Sequence, residues 1–208
     1  MKQKNIGYAL LAGSMLFGLT VASGAYAADV NKLAENCAGC HGADGANSDS
    51  HIPNIGGMSA KYLTITMAHY KHKERPCVEI EVQSGAKKGT KTDMCKVVAE
   101  LSDDDVKQLS DYYAGKKFVR AAQKFDAALA AKGKAVHEKN CEKCHSESGS
   151  VADDDAGILA GQKIHYLKEQ TEFFLAEKRP MHKKMAPKLK ALSKDEVAAV
   201  VEYYGSLK

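Results

Sequence analysis

The sequence predicts an all-α protein made of two tandem domains that arose by internal duplication. Three observations support this prediction: apolar residues recur at helical spacing in six segments, no run alternates as a substantial strand would, and a set of landmark residues occurs twice. We expect domain 1 over residues 28–116, a linker over residues 117–123, and domain 2 over residues 124–208.

Residues 1–27 have the pattern of a cleaved export signal. Lys2 and Lys4 precede an apolar run, and Ala25-Tyr26-Ala27 supplies the small residues that flank a cleavage point. A retained membrane anchor is the alternative, but the run is interrupted by glycine and serine and is short for a span. Cleavage leaves 181 of 208 residues with a formal charge of +2, against +4 for the whole chain. The signal predicts a periplasmic protein, the small charge gives no reason to expect a nucleic-acid partner, and no later stretch is apolar enough for stable membrane insertion.

The duplication shows in two registers of matching residues. An offset of 104 relates Cys37–His41 to Cys141–His145, Gly57 to Gly161, Tyr62 to Tyr166 and Arg75 to Arg179; an offset of 91 then relates Met94 to Met185, Leu101 to Leu192 and Tyr112–Tyr113 to Tyr203–Tyr204. Because the offset falls by 13, the first copy should carry a 13-residue insertion between Pro76 and Met94. Repetition of this kind indicates two copies of one structural unit.

Apolar periodicity predicts the helices in order. They cover Val30–Cys37, Ser59–Lys71 and Ser102–Ala114 in domain 1, and Lys124–Asn140, Gln162–Glu177 and Ser193–Ser206 in domain 2. Ser102 and Ser193 precede acidic residues, which suits a serine cap at the positive end of a helix, and Ser193 with Glu196 fits a capping box. Segments such as residues 42–57, rich in Gly, Asn, Asp and Ser, are expected to be loops.

Each domain contains one Cys-x-x-Cys-His motif, the pattern by which c-type haem is attached. Two cysteines three residues apart on a helical turn can form thioethers with one porphyrin, and the adjacent histidine can then bind the iron. A zinc site would need two further ligands nearby, and a redox dithiol would need a βαβ surround. The sequence therefore predicts two covalent haem c groups. The residues concerned are Cys37, Cys40 and His41 in domain 1 and Cys141, Cys144 and His145 in domain 2.

A methionine is predicted as the second axial ligand of each iron. A thioether opposite histidine raises the reduction potential and leaves no open coordination position, which suits electron transfer. Met94 and Met185 occupy equivalent places, each seven residues before the Leu-Ser that opens the last helix. Met181 is the nearest alternative in domain 2. Bis-histidine ligation is another, although no remaining histidine has a counterpart in the other copy; the candidates are His51, His69, His72, His137, His165 and His182.

Two cysteines lie outside the motifs, one at each end of the insertion. In an oxidising compartment, a disulfide between Cys77 and Cys95 would close the extra loop and hold Met94 near the iron. Free thiols or a separate reactive role are the alternatives. Basic residues at Lys71–Arg75, Lys87–Lys91 and Lys178–Lys190 could steer an acidic partner, although such runs are usually solvated faces.

The arrangement of two Cys-x-x-Cys-His motifs, each followed by Met, Leu-Ser and a tyrosine-bearing helix, resembles the cytochrome c4 family of diheme cytochromes. In domain 2, Ile158–Gln162, Arg179–Met185 and the segment Phe125–Leu129 are similar to the diheme subunit of flavocytochrome c sulfide dehydrogenase. That subunit lacks the insertion between Cys77 and Cys95.

The resemblance implies two class I cytochrome c folds packed about a pseudo-twofold axis, which brings the haems close together. It implies His41 and Met94 on one iron, and His145 and Met185 on the other. Members commonly carry a proline after the motif whose carbonyl orients the histidine; Pro53 fits, whereas Gly157 occupies the aligned position in domain 2.

These observations predict an electron carrier rather than an enzyme. Its partners would be redox proteins: a dehydrogenase, a flavoprotein, or a terminal oxidase or reductase. The alternative is the electron-accepting subunit of a sulfide dehydrogenase complex, with flavin on another chain because this one has no Gly-x-Gly-x-x-Gly fingerprint. A peroxidase would need an open iron position, which axial methionine on both irons would exclude.

Overall fold

The computed structural model describes residue 1 and residues 29–208. The predicted export signal, apart from its first residue, lies outside this part of the chain. No helix within the described residues is long and apolar enough to cross a membrane. The structure is helical, with one two-stranded antiparallel hairpin, so the all-α prediction is confirmed.

The elements follow the predicted order. They are α1 (Val30–His41), α2 (Ala60–Lys71), β1 (Ile80–Glu81), β2 (Lys91–Thr92), α3 (Met94–Ala99) and α4 (Asp103–Ala114), then α5 (Ala127–Asn140), the helical turn α6 (Ser146–Gly149), a 3-10 turn (Ala152–Asp154), α7 (Ile164–Leu175), α8 (Ala186–Lys190) and α9 (Lys194–Ser206). The six predicted helices are all present. Helices α3 and α8 and the hairpin in the insertion were not predicted.

Local contacts explain where the helix ends differ from prediction. Helix α1 continues to His41, beyond the predicted end at Cys37, so the whole first motif is helical. Helix α5 begins at Ala127 because the carboxylate of Asp126 accepts hydrogen bonds from the first helical amides. Helix α7 ends at Leu175, and Glu177 beyond it has a left-handed backbone with φ +56°. Capping boxes form at both Ser102 and Ser193.

In each domain the last helix packs across the first. Leu109 and Tyr113 of α4 join Ala34 and Leu63 in the core of domain 1, and Val200 and Tyr204 of α9 lie in the core of domain 2. Helices α5 and α9 cross so closely that a Cβ on Gly133 would lie 2.0 Å from the carbonyl oxygen of Ala199. Glycine is therefore required where the two backbones touch.

Backbone hydrogen bonds repeat between the domains as the two sequence registers require. Gly57 donates to the carbonyl of Tyr113 at 2.8 Å, and Gly161 donates to the carbonyl of Tyr204 at 2.7 Å. Both glycines have positive φ, +78° and +73°, in the region that favours glycine. The duplicated residues thus occupy equivalent places in two copies of one fold.

The two domains share a polar interface. The amide of Gln162, which is fully buried, bonds the backbone of Asn54 twice, accepting from its N–H at 3.0 Å and donating to its carbonyl at 2.8 Å. Asp155 accepts from the Ser59 hydroxyl at 2.7 Å and from the Lys61 ammonium at 2.8 Å. Ile158 of domain 2 also enters the core cluster of domain 1, so the domains are packed rather than merely linked.

Reciprocal contacts relate the domains as a twofold axis would. Arg75 of domain 1 lies 3.4 Å from the hydroxyl of Tyr166 in domain 2. The equivalent pair is Arg179 of domain 2 and Tyr62 of domain 1. Burial by itself would raise the pKa of Tyr62, but the positive charges of Arg179 and Arg75 outweigh this effect and lower the pKa. When the arginine of each domain faces the tyrosine of the other, the two domains are related as by a twofold axis. It agrees with the pseudo-twofold arrangement that the resemblance implies.

Candidate haem sites

Domain 1 contains a largely apolar cavity with about 980 Å³ of empty space, part of it open to solvent. Helix α1 brings Cys37, Cys40 and His41 to one wall, and Met94 at the start of α3 lies on the same lining. The four residues singled out from the sequence of domain 1 therefore come together in one cavity. A buried apolar chamber with two thiols, an imidazole and a thioether suits a covalently tethered haem.

The imidazole of His41 is buried and held by one hydrogen bond. Its Nδ1 donates to the carbonyl oxygen of Pro53 at 3.0 Å, as expected of the proline after the motif. Burial lowers the pKa of His41, so the neutral ring is favoured and Nε2 keeps a free lone pair. A carbonyl oxygen that accepts from the ring nitrogen facing away from the metal fixes the tautomer and the orientation of a metal-binding histidine.

The thiols of the first motif are unlike those of a redox dithiol. Burial raises the pKa of Cys37 to about 11, although Tyr113 donates a hydrogen bond to it, and burial also raises the pKa of Cys40. A reactive dithiol needs a lowered thiol pKa. The four motif cysteines are not disulfide-bonded. Zinc is not supported either, because in residues 29–208 the single group of potential ligands that lies close together includes neither motif.

Three methionines line the cavity, and their packing distinguishes them. Met58 and Met67 belong to the apolar core of domain 1, whereas Met94 lies outside that cluster. Met94 begins α3, directly after Asp93, whose carboxylate accepts from the backbone of Lys96 at 2.9 Å and so caps the helix. Met94 is thus presented by a capped helix end rather than used as core filler.

The cysteines at the ends of the insertion form a disulfide, as predicted. Cys77 and Cys95 are bonded with their Cα atoms 5.6 Å apart, and the bond closes the segment that carries the hairpin. The cluster of Cys77, Cys95 and Asp93 is therefore no metal site, since both thiols are consumed. The disulfide follows Met94 immediately and anchors the start of α3.

The second motif is arranged differently from the first. Cys141 ends α5 and accepts a hydrogen bond from Tyr204, which repeats the contact between Cys37 and Tyr113. Cys144 is exposed, whereas Cys40 is buried. The Nδ1 atom of His145 is buried without a hydrogen-bond partner in the described chain, so Gly157 does not supply the contact that Pro53 makes. Met185 is half-buried and directly precedes α8.

Three of the six alternative histidines make other contacts. His41 is the histidine among the residues that line the first cavity. Both ring nitrogens of buried His137 are taken, one by the Tyr204 hydroxyl at 2.8 Å and the other by the carboxylate of Glu142. His51 and His165 stack on each other across the interface, with ring centroids 3.9 Å apart. These contacts favour methionine over a second histidine as the ligand in domain 1.

One buried residue had no function in the sequence analysis. Arg75 served there as a landmark of the repeat and as the end of a basic run that could face a partner, yet it lines the first cavity and is 2% exposed. A buried arginine cannot be recognised from sequence alone, because arginine is ordinarily a surface residue. Its repetition as Arg179 was the available signal.

The duplicated helical fold, with one haem-attachment motif in each copy, defines a c-type cytochrome with two tandem domains. The family model described as cytochrome c matches residues 27–114, and the model described as cytochrome c oxidase, cbb3-type, subunit III matches residues 128–203. Cytochrome c4 of Pseudomonas aeruginosa is 29% identical over 92% of this chain and 93% of that protein. Both halves of the chain thus match c-type cytochromes, and over nearly its whole length the chain is similar to the cytochrome c4 family of diheme cytochromes.

Further comparisons agree with this assignment. The crystal structure of reduced recombinant cytochrome c4 from Pseudomonas stutzeri superposes with a TM-score of 0.70 at 22% identity, over 86% of this chain and 97% of that one, and shows the same fold. The thiosulfate dehydrogenase electron acceptor of Stutzerimonas stutzeri is 28% identical over 85% of this chain and 81% of that protein. The cytochrome subunit of sulfide dehydrogenase of Chlorobaculum tepidum is 46% identical, but over 43 residues, which are 21% of this chain and 38% of that protein.

The protein is therefore a diheme electron carrier with two covalently bound haem c groups. Its redox partners are other proteins. The narrower likeness to the sulfide dehydrogenase subunit is partial.

Proposed function

We propose that the protein is a periplasmic electron shuttle whose two irons are held by His41 with Met94 and by His145 with Met185. Thioether bonds to Cys37 and Cys40, and to Cys141 and Cys144, would tether the two haems. The observation that carries the proposal is that the first motif and Met94 line one and the same cavity in domain 1. The duplication extends the same assignment to domain 2.

The residues of the chain have separate tasks in electron transfer. Iron porphyrin supplies the one-electron couple when bound. His41, held by Pro53, offers a fixed neutral nitrogen, and Met94 offers a soft sulfur that favours the reduced state. The apolar lining, with residues such as Leu63 and Leu109, excludes water and further disfavours the charged ferric state. With His41 and Met94 both bound to it, the iron would have no position open to a substrate and would supply only outer-sphere electron exchange.

The proposed periplasmic location rests on the export signal over residues 1–27 and on the disulfide. Small residues after a short apolar run favour secretion. A disulfide between Cys77 and Cys95 is stable in an oxidising compartment and uncommon in the cytosol.

The proposed partners are a dehydrogenase or quinol complex as donor and a terminal oxidase or reductase as acceptor. Lys87 and Lys88 on the hairpin, and Lys183 and Lys184 before Met185, are exposed and could steer an acidic partner by long-range attraction. One relative is named as an electron acceptor of thiosulfate dehydrogenase. The second candidate, permanent attachment to a sulfide-oxidising flavoprotein, is supported by the short stretch of likeness to the Chlorobaculum subunit.

Mass analysis and spectroscopy of the exported protein test the assignment. We expect a chain beginning at Ala28 with two haem adducts, and a far-red methionine-to-iron absorption band from both haems. Met94→Leu should remove about half of that band. Met67→Leu is the matched control, because Met67 lines the same cavity but packs in the core, and it should leave the band intact.

Other results would contradict the assignment. Fewer than two haem adducts in the secreted wild-type chain would remove its basis. Loss of the band in Met67→Leu with retention in Met94→Leu would transfer the ligand to Met67. Flavoprotein that co-purifies with the native protein would favour the second candidate over a free shuttle.

A further inference from the structure

Arg75 is a buried cation whose hydrogen-bonding capacity is only partly used. It is 2% exposed, and its Nε and Nη1 atoms have no hydrogen-bond partner among the described residues. Its remaining nitrogen, Nη2, donates to Oε1 of Gln170 at 2.7 Å. A guanidinium removed from water in this way is costly unless an anion faces its free N–H groups.

A second guanidinium adds to this charge. Arg179, the duplicate of Arg75, donates from Nη1 to the same Oε1 atom of Gln170 at 2.8 Å. The two cations therefore share one neutral acceptor at the domain interface. Tyr70 stacks under Arg75 at 4.4 Å, and Phe174 stacks under Arg179 at 4.2 Å, so both charges also lie against ring faces.

No carboxylate balances these two charges. Among residues 29–208, no Asp or Glu oxygen lies within 4.0 Å of either guanidinium, while lysines of the same region form ordinary ion pairs. Arg75 is buried and Arg179 is half-buried, so the two like charges repel each other more strongly than they would in water, and no carboxylate of the described chain offsets this. The geometry calls for an anion from outside the polypeptide.

Arg75 borders the first haem cavity. Arg75 lines that cavity together with Tyr70 and with Tyr166 of domain 2. A haem carries two propionate carboxylates at one edge, and a guanidinium suits a carboxylate because two parallel N–H groups can bind its two oxygens. The carboxylate chemistry of a propionate and the place of Arg75 on the cavity lining both favour a contact between them.

We propose that Arg75 binds a propionate of the domain 1 haem through Nε and Nη1, and that Gln170 joins this anion site to Arg179, so that domain 2 helps to set the potential of the domain 1 haem. The inference rests on the haem position under the proposed function, and goes beyond it by assigning Arg75, Gln170 and Arg179. Arg75 and Gln170 are positioning residues, since neither touches the iron. The bonds cross the domain interface and make the first site depend on the second domain.

Reduction potentials of the two haems in the intact holoprotein test the proposal. Arg75→Gln removes a positive charge beside one haem, which favours its ferric form. We expect the ratio of reduced to oxidised domain 1 haem at a fixed electrode potential to fall about tenfold, or about 59 mV for a one-electron couple. The domain 2 haem should move less. The wave of the domain 1 haem is identified by its displacement in Met94→His.

Arg120→Gln is the matched control, because it removes the same charge from an exposed arginine. Gln170→Glu is the second variant: its carboxylate would neutralise Arg75 from domain 2 and lower the same potential without truncating the arginine. If Arg75→Gln loses haem, Gln170→Glu decides the question in fully loaded protein.

The outcomes separate this inference from the proposed function. Two attached haems, with the domain 1 potential no more changed in Arg75→Gln or Gln170→Glu than in Arg120→Gln, would overturn the inference and leave the electron-carrier assignment intact. Absence of a covalent haem in the wild-type protein would instead defeat the proposed function.

Discussion

The histidines of the two motifs show how a difference at one residue changes the hydrogen bonding of a duplicated site. Pro53 accepts a hydrogen bond from His41, whereas Gly157, at the aligned place, leaves His145 without a partner. Gly157 has φ +78°, and a Cβ there would lie 2.7 Å from the ring of Tyr62 in domain 1. Proline cannot adopt that backbone conformation. Packing of the interface thus excludes the residue that orients the histidine in domain 1.

Lys163 is a buried cation with a full set of partners. Its ammonium donates to the side chain of Asn47 at 2.8 Å and to the carbonyls of Asp49 and Ile52 at 2.6 Å each. It thereby ties α7 of domain 2 to the loop that follows the first motif. Burial lowers the pKa of Lys163 from 10.5 to about 8.

This lysine predicts a pH dependence of stability. Between pH of about 8 and about 10.5 the unfolded chain holds a proton that the folded protein has released, so this group adds stability as pH rises. Urea unfolding at several pH values should show a rise in that window for the wild type relative to Lys163→Met. Lys163→Arg, which stays protonated, should lack the rise as well. An identical pH profile in wild type and Lys163→Met would contradict the assignment.

At the scale of elements, the insertion forms a lid over one side of the first motif. Gln83 and Ser84 donate backbone hydrogen bonds to the carbonyl of Gly39 at 2.9 Å each, and Val82 packs with Cys40 and Ile52. Domain 2 has no counterpart of this hairpin, and Cys144 is correspondingly exposed. The two haem edges should therefore differ in access to partners.

The disulfide that closes this insertion predicts a loss of stability on its removal, with the first local loosening at the start of α3 in domain 1. Cys77 and Cys95 are 18 residues apart, so replacement of both by serine should cost about 3 kcal/mol through the larger entropy of the unfolded chain. Denaturant unfolding checks the magnitude. On heating, the far-red methionine band should weaken for the haem of domain 1 before that of domain 2, which is the internal control. Equal weakening of both would indicate that Met94 does not depend on the disulfide.

Most helices could be predicted from sequence, and the exceptions have physical reasons. The long helices carry enough apolar repeats to be recognised, and serine caps mark α4 and α9. Helices α3 and α8 have six and five residues, too few for a periodic pattern. The strands of the hairpin have two residues each, and the segment between them bonds Gly39 of α1, which no local pattern reveals. Site residues were found through the motif and the repeat, whereas the partners of Arg75 lie in the other domain.

For the whole molecule, the interface joins two units that the sequence shows only as repeats. Asn54 donates from its side chain to the carbonyl of Val119 in the linker at 2.7 Å, while its backbone pairs with Gln162 of domain 2. The domain 1 loop, the linker and domain 2 thus converge on one buried asparagine. These contacts join sequence positions 65 and 108 residues apart and follow no local pattern.

This convergence predicts that the domains unfold together and that Gln162 couples them. Gln162→Leu keeps the side-chain volume but leaves the buried N–H and C=O of Asn54 unpaired, which should cost about 2–4 kcal/mol in the free energy of unfolding. Gln83→Leu is the matched control: Gln83 is exposed and its side chain bonds the carbonyl of Glu81, while its backbone bond to Gly39 is kept in the variant, so the change should stay within about 0.5 kcal/mol. Urea unfolding followed at both haems should give one transition for the wild type. Gln162→Leu should separate it into two, since each domain keeps its own core while the bonds between them are lost. Equal stability of the two variants, with a single transition in both, would show that Gln162 does not couple the domains.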